Sequence, residues 1–231
     1  MKSKLESYNA SDILRVSRTR KQTRTFYNRI SRVYDLLSYR SEAPMRVAGL
    51  DLLRAVPGEK VLEIGFGTGH CLSALARSVG PAGKVFGIDL SDRMMNLARR
   101  NLARAGLLDR CVLCCGDGAK LPFPAGSLHA VFMSFALELF DTPEIPQVLS
   151  ECRRVLQPGG RIVVVGMSKK GPAGPMVRFF AWVRRQFPYL LDCRPIYVRH
   201  MLEDNGFEIK RQEIRSMWIP VEIVLGIRSD P

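Results

Sequence analysis

No apolar run in this sequence approaches the roughly 18 to 20 residues that cross a bilayer. The first two dozen residues, MKSKLESYNASDILRVSRTRKQTR, lack the apolar stretch of a secretory signal. Glu6 and Asp12 also sit badly with the acid-poor composition of a transit peptide. The expected compartment is the cytoplasm, with peripheral attachment to the inner face of the membrane left open. Histidine is scarce, with three residues, and no histidine cluster accompanies the six cysteines at 71, 111, 114, 115, 152 and 193. Cys111-x-x-Cys114 stands in the apolar run RCVLCCGD, so it reads as buried strand cysteines rather than a metal or redox pair. No metal site is expected. The phosphate-cradling G-x-x-x-x-G-K-[ST] is missing, which excludes a P-loop, and there is no internal repeat or low-complexity tract.

What is present suffices for one domain with a full core: 231 residues, 46% apolar and 25% charged. The net charge of +13 is unevenly spread. Residues 1–46 hold eleven basic and four acidic residues, and 167–200 hold seven and one, which leaves the remainder neutral. Fields of that kind attract anionic partners such as phospholipid surfaces or nucleic acid, although solvated helix faces account for such charge equally well. The segment MVRFFAWVRRQFPYLL interleaves Phe179, Phe180, Trp182, Phe187 and Tyr189 with Arg178, Arg184 and Arg185. That pattern suits a lipophilic substrate or an interface, or else a packed lid helix with exposed arginines.

Periodicity organises the rest. Helical spacing of Phe26, Ile30, Val33 and Leu37 predicts a helix from Thr25, and a further helix is expected over 44–56, stopped by Pro57-Gly58. From there strands and helices alternate. Strands begin near Val61, Val85, Val112, Ala130 and Ile162; Ser91 caps one helix, Gly106 ends it, and Gly206 ends another. EIKRQEI and VEIVLGI close as antiparallel edge strands. Alternation of this type predicts an α/β fold: a single Rossmann-like domain with a seven-stranded, mostly parallel sheet, helices on both faces and an antiparallel C-terminal edge. The organisation expected is a basic N-terminal helical cap over 1–46 and a main domain over 47–231, with a basic aromatic insertion at about 167–200.

In such a sheet, ligands bind at the carboxyl ends of the strands. The first of those turns is Glu63-Ile64-Gly65-Phe66-Gly67-Thr68-Gly69, where glycines let the backbone bend sharply and approach a ligand. Asp89 ends the second strand and can accept ribose hydroxyls; Asp117 follows the third and can accept an exocyclic amino proton. His70 occupies the place of the third glycine of the dinucleotide fingerprint G-x-G-x-x-G, and Glu63 beside the cradle would repel a pyrophosphate while suiting an ammonium group. These features favour S-adenosylmethionine over a dinucleotide.

VLEIGFGTG, GIDLS, GDGAKLPFPAGS and RRVLQPGGRIVVVG, in that order, resemble the class I S-adenosylmethionine-dependent methyltransferases. FYNRISRVYDLLS and AKLPFP followed by MSFAL resemble in particular the ubiquinone/menaquinone biosynthesis group, over roughly 25–168. The resemblance implies that Gly65, Phe66, Gly67, Thr68 and Gly69 line the methionine part of the cofactor, with Glu63 behind them toward its amino group. It implies Asp89 on the ribose, Leu90 and Met94 packed on the adenine, Asp117 and Gly118 at the adenine edge, Ser134 near the methionine end, and Tyr27 and Tyr34 as a lid or as core packing. The chain departs from the quinone group in three places: YDLLSYRSEAPM lacks its Asn-Asp pair, FALELFD lacks its Arg-Asn pair, and His129 replaces a common Asp.

The expected activity is methyl transfer to a small lipophilic molecule, quinone or lipid-like. The alternatives are a nucleic-acid methyltransferase, disfavoured because neither a recognition domain nor an Asn/Asp-Pro-Pro-aromatic tetrad is present, and a non-catalytic cofactor-binding regulator. The oligomeric state is open, a homodimer included. Transfer from a sulfonium carbon needs positioning above all, so no catalytic residue is assigned. Among candidate bases, His70, at the start of a helix, His129, pointing into strand packing, and His200, on a surface helix, read as structural. Glu138, beyond the fourth strand, is the better-placed polar group.

Overall fold

The computed structural model describes residues 13, 15–16, 18–30, 34–170 and 194–229, without the side chains of 30 and 34–40. Two helices, α1 (Arg20–Ile30) and α2 (Tyr34–Leu53), precede the first strand. Then come β1 (Lys60–Ile64), α3 (His70–Val79), β2 (Lys84–Asp89), α4 (Asp92–Arg104), β3 (Cys111–Cys115) and β4 (Leu128–Ser134). The chain closes with α5 (Ile145–Val155), β5 (Leu156–Met167), α6 (Val198–Asp204), β6 (Phe207–Ser216) and β7 (Pro220–Arg228).

The seven strands form one sheet in the order β3-β2-β1-β4-β5-β7-β6. The first five are parallel; β7 runs antiparallel to both β5 and β6. The order reverses between β1 and β4, which opens a crevice above their carboxyl ends. The central strands are buried on both sides and for that reason read as apolar runs, interrupted by Glu63 in β1 and His129 in β4. One face packs under α2, α3 and α4, the other under α5 and α6. In α4, Met94, Ala98 and Leu102 recur every fourth residue and form its buried stripe. Ser91 caps that helix by accepting the Met94 N–H at 3.1 Å, and Gly106, at φ 67°, takes the left-handed turn that follows it.

Three expectations need adjustment. Helical structure begins at Arg20 rather than Thr25, and α2 runs unbroken from Tyr34 to Leu53 with Pro44 inside it. It ends before Pro57 because Arg54 turns left-handed, at φ 50°. Residue 46 therefore lies within a helix. Pro158-Gly159-Gly160 forms a bulge inside β5 instead of a turn before it: the ladder pairs Leu128 with Leu156, then resumes at Ala130 with Arg161. Of the cysteine run, only Cys111 is buried; Cys114 is half-buried and Cys115 exposed, because β3 is an edge strand.

Candidate functional site

A cavity of about 200 Å³ opens at the switch point. Its inner wall is backbone. The Gly65 N–H donates to the Ile88 carbonyl at 2.8 Å and so ties the first turn to β2. Gly65 and Gly67 take φ of 74° and 52°, and a Cβ on Gly65 would lie 2.6 Å from that of Ala136. At Gly65 both the positive φ and the approach to Ala136, just past β4, call for glycine; at Gly67 the φ alone does. Asp89 locks the other side: it accepts the Gly67 N–H at 2.9 Å and the Ser91 N–H at 2.8 Å. Burial pushes its carboxyl above the ordinary range, against those two donors. Each oxygen keeps a lone pair for a ligand hydroxyl.

Leu90, Met94 and Gly118 line the same cavity, and Gly118 has no room for a side chain, since a Cβ would meet Ile64 at 2.8 Å. Asp117 also faces it. Its Oδ1 accepts the Ala119 N–H at 2.9 Å, and its Oδ2 lies 3.0 Å from the Arg20 guanidinium. Ser134 closes the far end, with its buried Oγ lacking a hydrogen-bond partner.

Not every residue of the glycine-rich turn points into this space. Phe66 is buried in the core under α3. Thr68 lines a second, smaller cavity behind the turn, and its carbonyl accepts from Asn101 at 3.0 Å. Gly69, at φ 87°, begins α3; a Cβ there would lie 2.9 Å from that of Ala98, so it sets the α3–α4 contact. Glu63 is buried behind the turn and faces the smaller cavity.

The outer wall consists of residues the sequence did not single out, apart from Tyr27. The segment from Val16 to Tyr27 covers the large cavity, and arginines hold it to acids on the rim. Arg15 forks onto Asp141 at 2.6 and 2.8 Å, and Asp141 also accepts the Val16 N–H at 3.1 Å. Burial raises the Asp141 carboxyl, but the hydrogen bonds from Arg15, Val16 and Thr142 outweigh it and hold the group below the usual range. Arg20 reaches Asp117 and also Glu144, at 3.4 Å, above the ring of Phe140. Arg24 and Asn28 both bond Asp92, at 2.9 Å. No local pattern announces these contacts, because their partners lie 64 to 126 residues away. Tyr34's side chain and the aromatic run 179–189 lie outside the described residues.

None of the three histidines lines the large cavity. His129 Nδ1 accepts the Lys60 N–H at 3.0 Å, at the opposite end of the sheet. His70 lines the smaller cavity. His200, expected at a surface, is buried on α6 edge-on to Tyr197, because that helix turns this face onto the sheet. Glu138 is fully buried and accepts the Met167 N–H at 3.2 Å, while its other oxygen has no partner; burial pushes its carboxyl up to about 8.

The wall fits a nucleoside carrying an amino acid: a glycine cradle, a carboxylate with a free lone pair on each oxygen, a second carboxylate on the rim, and at the far end the orphaned Ser134 Oγ. Residues 61–160 match the family model "Methyltransferase domain". The chain is 37% identical over 123 residues to a demethylmenaquinone methyltransferase of Symbiobacterium thermophilum, covering 53% of this chain and 47% of that one. It is 36% identical to a nocamycin O-methyltransferase of Saccharothrix syringae, over 61% of this chain and 49% of that one. With a demethylmenaquinone methyltransferase of Listeria monocytogenes it shares 31% identity over 70% of this chain and 69% of the relative. A crystal structure of an S-adenosylmethionine-dependent methyltransferase from Aquifex aeolicus superposes with a TM-score of 0.61, at 22% identity, over 96% of this chain and all of that one. The chain spans about half the length of several curated relatives it matches. In sequence and fold alike, the chain belongs to the class I S-adenosylmethionine-dependent methyltransferases.

Proposed function

We propose that this protein transfers a methyl group from S-adenosylmethionine to a small lipophilic acceptor of quinone or lipid type. The observation that carries the reading is the cavity itself, in which the fixed glycine turn, Asp89, Asp117 and Ser134 converge on one nucleoside-sized space. When bound, the cofactor supplies an electrophilic methyl on a sulfonium. Gly65 and Gly67 hold its amino-acid end by backbone, Asp89 takes the ribose hydroxyls, Asp117 takes the adenine amino group, and Leu90 and Met94 pack against the ring.

The remaining work of the chain is to position the acceptor and exclude water. Phe135, Ala136 and Leu139 supply an apolar surface beside Ser134, and the strap closes the cavity above. Glu138 holds its proton at neutral pH and lies below the surface, where it braces β5 rather than receiving a proton from an acceptor. A lipophilic acceptor is supported by that apolar wall and by relatives named for demethylmenaquinone. A relative named as an O-methyltransferase leaves carbon and oxygen acceptors both in play. Incubation with methyl-labelled cofactor and cell extract, followed by solvent extraction, tests the proposal. Label in organic-soluble material supports it; label in RNA favours the nucleic-acid reading; no label favours a cofactor-binding regulator.

Access from an anionic membrane surface completes the proposal. Arg15, Arg20 and Arg24 are engaged with rim acids, so the membrane contact falls to the second basic segment, where Lys169 and Lys170 follow β5 and precede 171–193. Trp218 and Ile214 are exposed near the same rim. Each well-placed basic residue adds about 1 kcal/mol near such a surface. Among the described residues no helix is long and apolar enough to cross a membrane. Liposome co-sedimentation should rise with anionic lipid, fall with salt, and drop when Arg184 and Arg185 become Glu; equal partitioning onto neutral vesicles would refute the contact.

A further inference from the structure

The sheet ends at β6, and among the described residues no strand pairs with its outer edge. A row of backbone N–H and C=O groups therefore faces outward there. A bulge orders the side chains along this strand. Its ladder with β7 pairs Ile209 with Gly226 and resumes at Arg211 with Leu225, so Lys210 is the extra residue. One face carries charge alone: Lys210 pairs with Glu208, while Arg211, at 2.9 Å, and Arg215, at 2.7 Å, both pair with Glu213. Each partner stands two residues away, which places all five on that face. The other face carries Ile209, packed against the core under α5 and α6, and Gln212, bonded to Arg199 and Glu222. Ile214 follows on the same face and is 50% exposed.

With the bulge counted as one position, Glu208 to Arg215 reads acid, Ile, base, Gln, acid, Ile, base. Reversed, the pattern sets each charge against its opposite. A second copy laid antiparallel about Gln212 puts Glu208 opposite the copy's Arg215, Ile209 opposite the copy's Ile214, and Lys210 and Arg211 opposite the copy's Glu213. Directly opposed residues on one face of a sheet attract or repel in this way. A slip of one position sets the charged face against the apolar one. A slip of two positions in either direction opposes acid to acid and base to base. Charges and bulges guard edge strands against indiscriminate pairing; here they exclude every register except one.

We propose that β6 is a dimerisation edge, through which two copies of this chain join their seven-stranded sheets into one around a two-fold axis at Gln212. The pairing covers Ile214. It leaves Trp218, past the end of the strand, on the rim, and the cofactor cavity uncovered beyond β5 and β7. One strand edge is a small interface, so the dissociation constant belongs on the order of micromolar.

Analytical ultracentrifugation of the full chain, without lipid and from about 1 to 100 μM, tests this. The unaltered protein should pass from the mass of one chain to that of two, and added salt should weaken the association. Glu208→Arg and Arg215→Glu each bring like charges together at both ends of the strand pair, and each should raise the dissociation constant about tenfold or more. Mixed in equal amounts, the two variants again present opposite charges. The mixture should dimerise as tightly as the unaltered protein, which also reports that both variants are folded. An unaltered protein that stays monomeric throughout, a single variant that dimerises undiminished, or a mixture that associates no better than its components would overturn the proposal.

Discussion

The two walls of the large cavity are built from different materials. The inner wall is backbone: glycines that admit no side chain, N–H groups bonded across strands, and Asp89 fixed by two of those N–H groups. The outer wall is a strap of side chains, with Arg15, Arg20 and Arg24 reaching across to Asp141, Asp117 and Asp92. Arg15 is 69% exposed on its side chain and Arg24 51%, where ion pairs are weak and screened by salt. A ligand enclosed on all sides must still enter and leave. The exposed ion pairs of the outer wall are where the cavity is expected to open, with the glycine turn and Asp89 left in place and Asp117 released from Arg20.

Breaking the inner wall should therefore cost most. Gly65→Val adds a Cβ against Ala136 and forces a β-branched residue to φ 74°. S-adenosylhomocysteine affinity should fall by about a hundredfold or more by calorimetry, the combined scale of backbone strain and overpacking. Asp89→Ala removes the acceptor of two N–H groups and of the ribose, and should cost about 1.5–3 kcal/mol of binding in the same titration. Unchanged affinity in either variant would mean that the inner wall is not the recognition surface.

Opening the outer wall should have a smaller effect of a different kind. Arg20→Gln frees Asp117 and Glu144. Stopped-flow displacement should show the dissociation rate of S-adenosylhomocysteine rising up to about fivefold, the scale of a partly exposed ion pair. Added salt should speed release from the unaltered protein more than from the variant. A salt-independent rate would break the comparison, since the strap would then be held by something other than charge.

The smallest effect lies beneath the site. Glu138 stays protonated in the folded protein up to about pH 8 and ionises at the ordinary carboxylate value when unfolded. Between those values the folded state binds more protons, so stability falls as pH rises through that window. Melting temperature should decline from pH 5 to pH 8.5. Glu138→Gln should flatten that decline and raise the melting temperature at pH 8.5 by a few degrees, about the shift of 1 kcal/mol in a domain of this size.

The inner wall was legible in the sequence because its signals are local. Gly65, Gly67, Asp89, Asp117 and Ser134 each stand at the end of a strand whose apolar run predicts it, and strand order then brings them together. Phe66, Thr68 and Gly69 lie in the same motif but turn elsewhere, since consecutive residues of a tight turn cannot all face one cavity. That an N-terminal cap lies over the site was expected from the sequence, but the contacts that fasten it were not legible. Arg15 and Asp141 are 125 residues beyond adjacency in the chain, and a charge count records the excess without its partners. The N-terminal arginines that read as a surface field are in part the fastening of the site. α2 was misjudged at both ends because a left-handed Arg54 and an internal Pro44 run against residue preference, which tertiary packing overrides.

One junction bears on what holds the far end of β5 in place. β5 ends beside the point where the chain returns: Ser168 bridges Ile196, the Ile196 N–H donates to Met167 at 2.9 Å, and the Lys169 N–H donates to Ile196 at 3.0 Å. Arg194, fully buried, donates to the carbonyls of Glu138 and Phe140 just past that seam. The two stretches of chain that flank 171–193 are thus stitched to each other and to the sheet. The fold at this seam therefore rests on contacts made entirely outside 171–193.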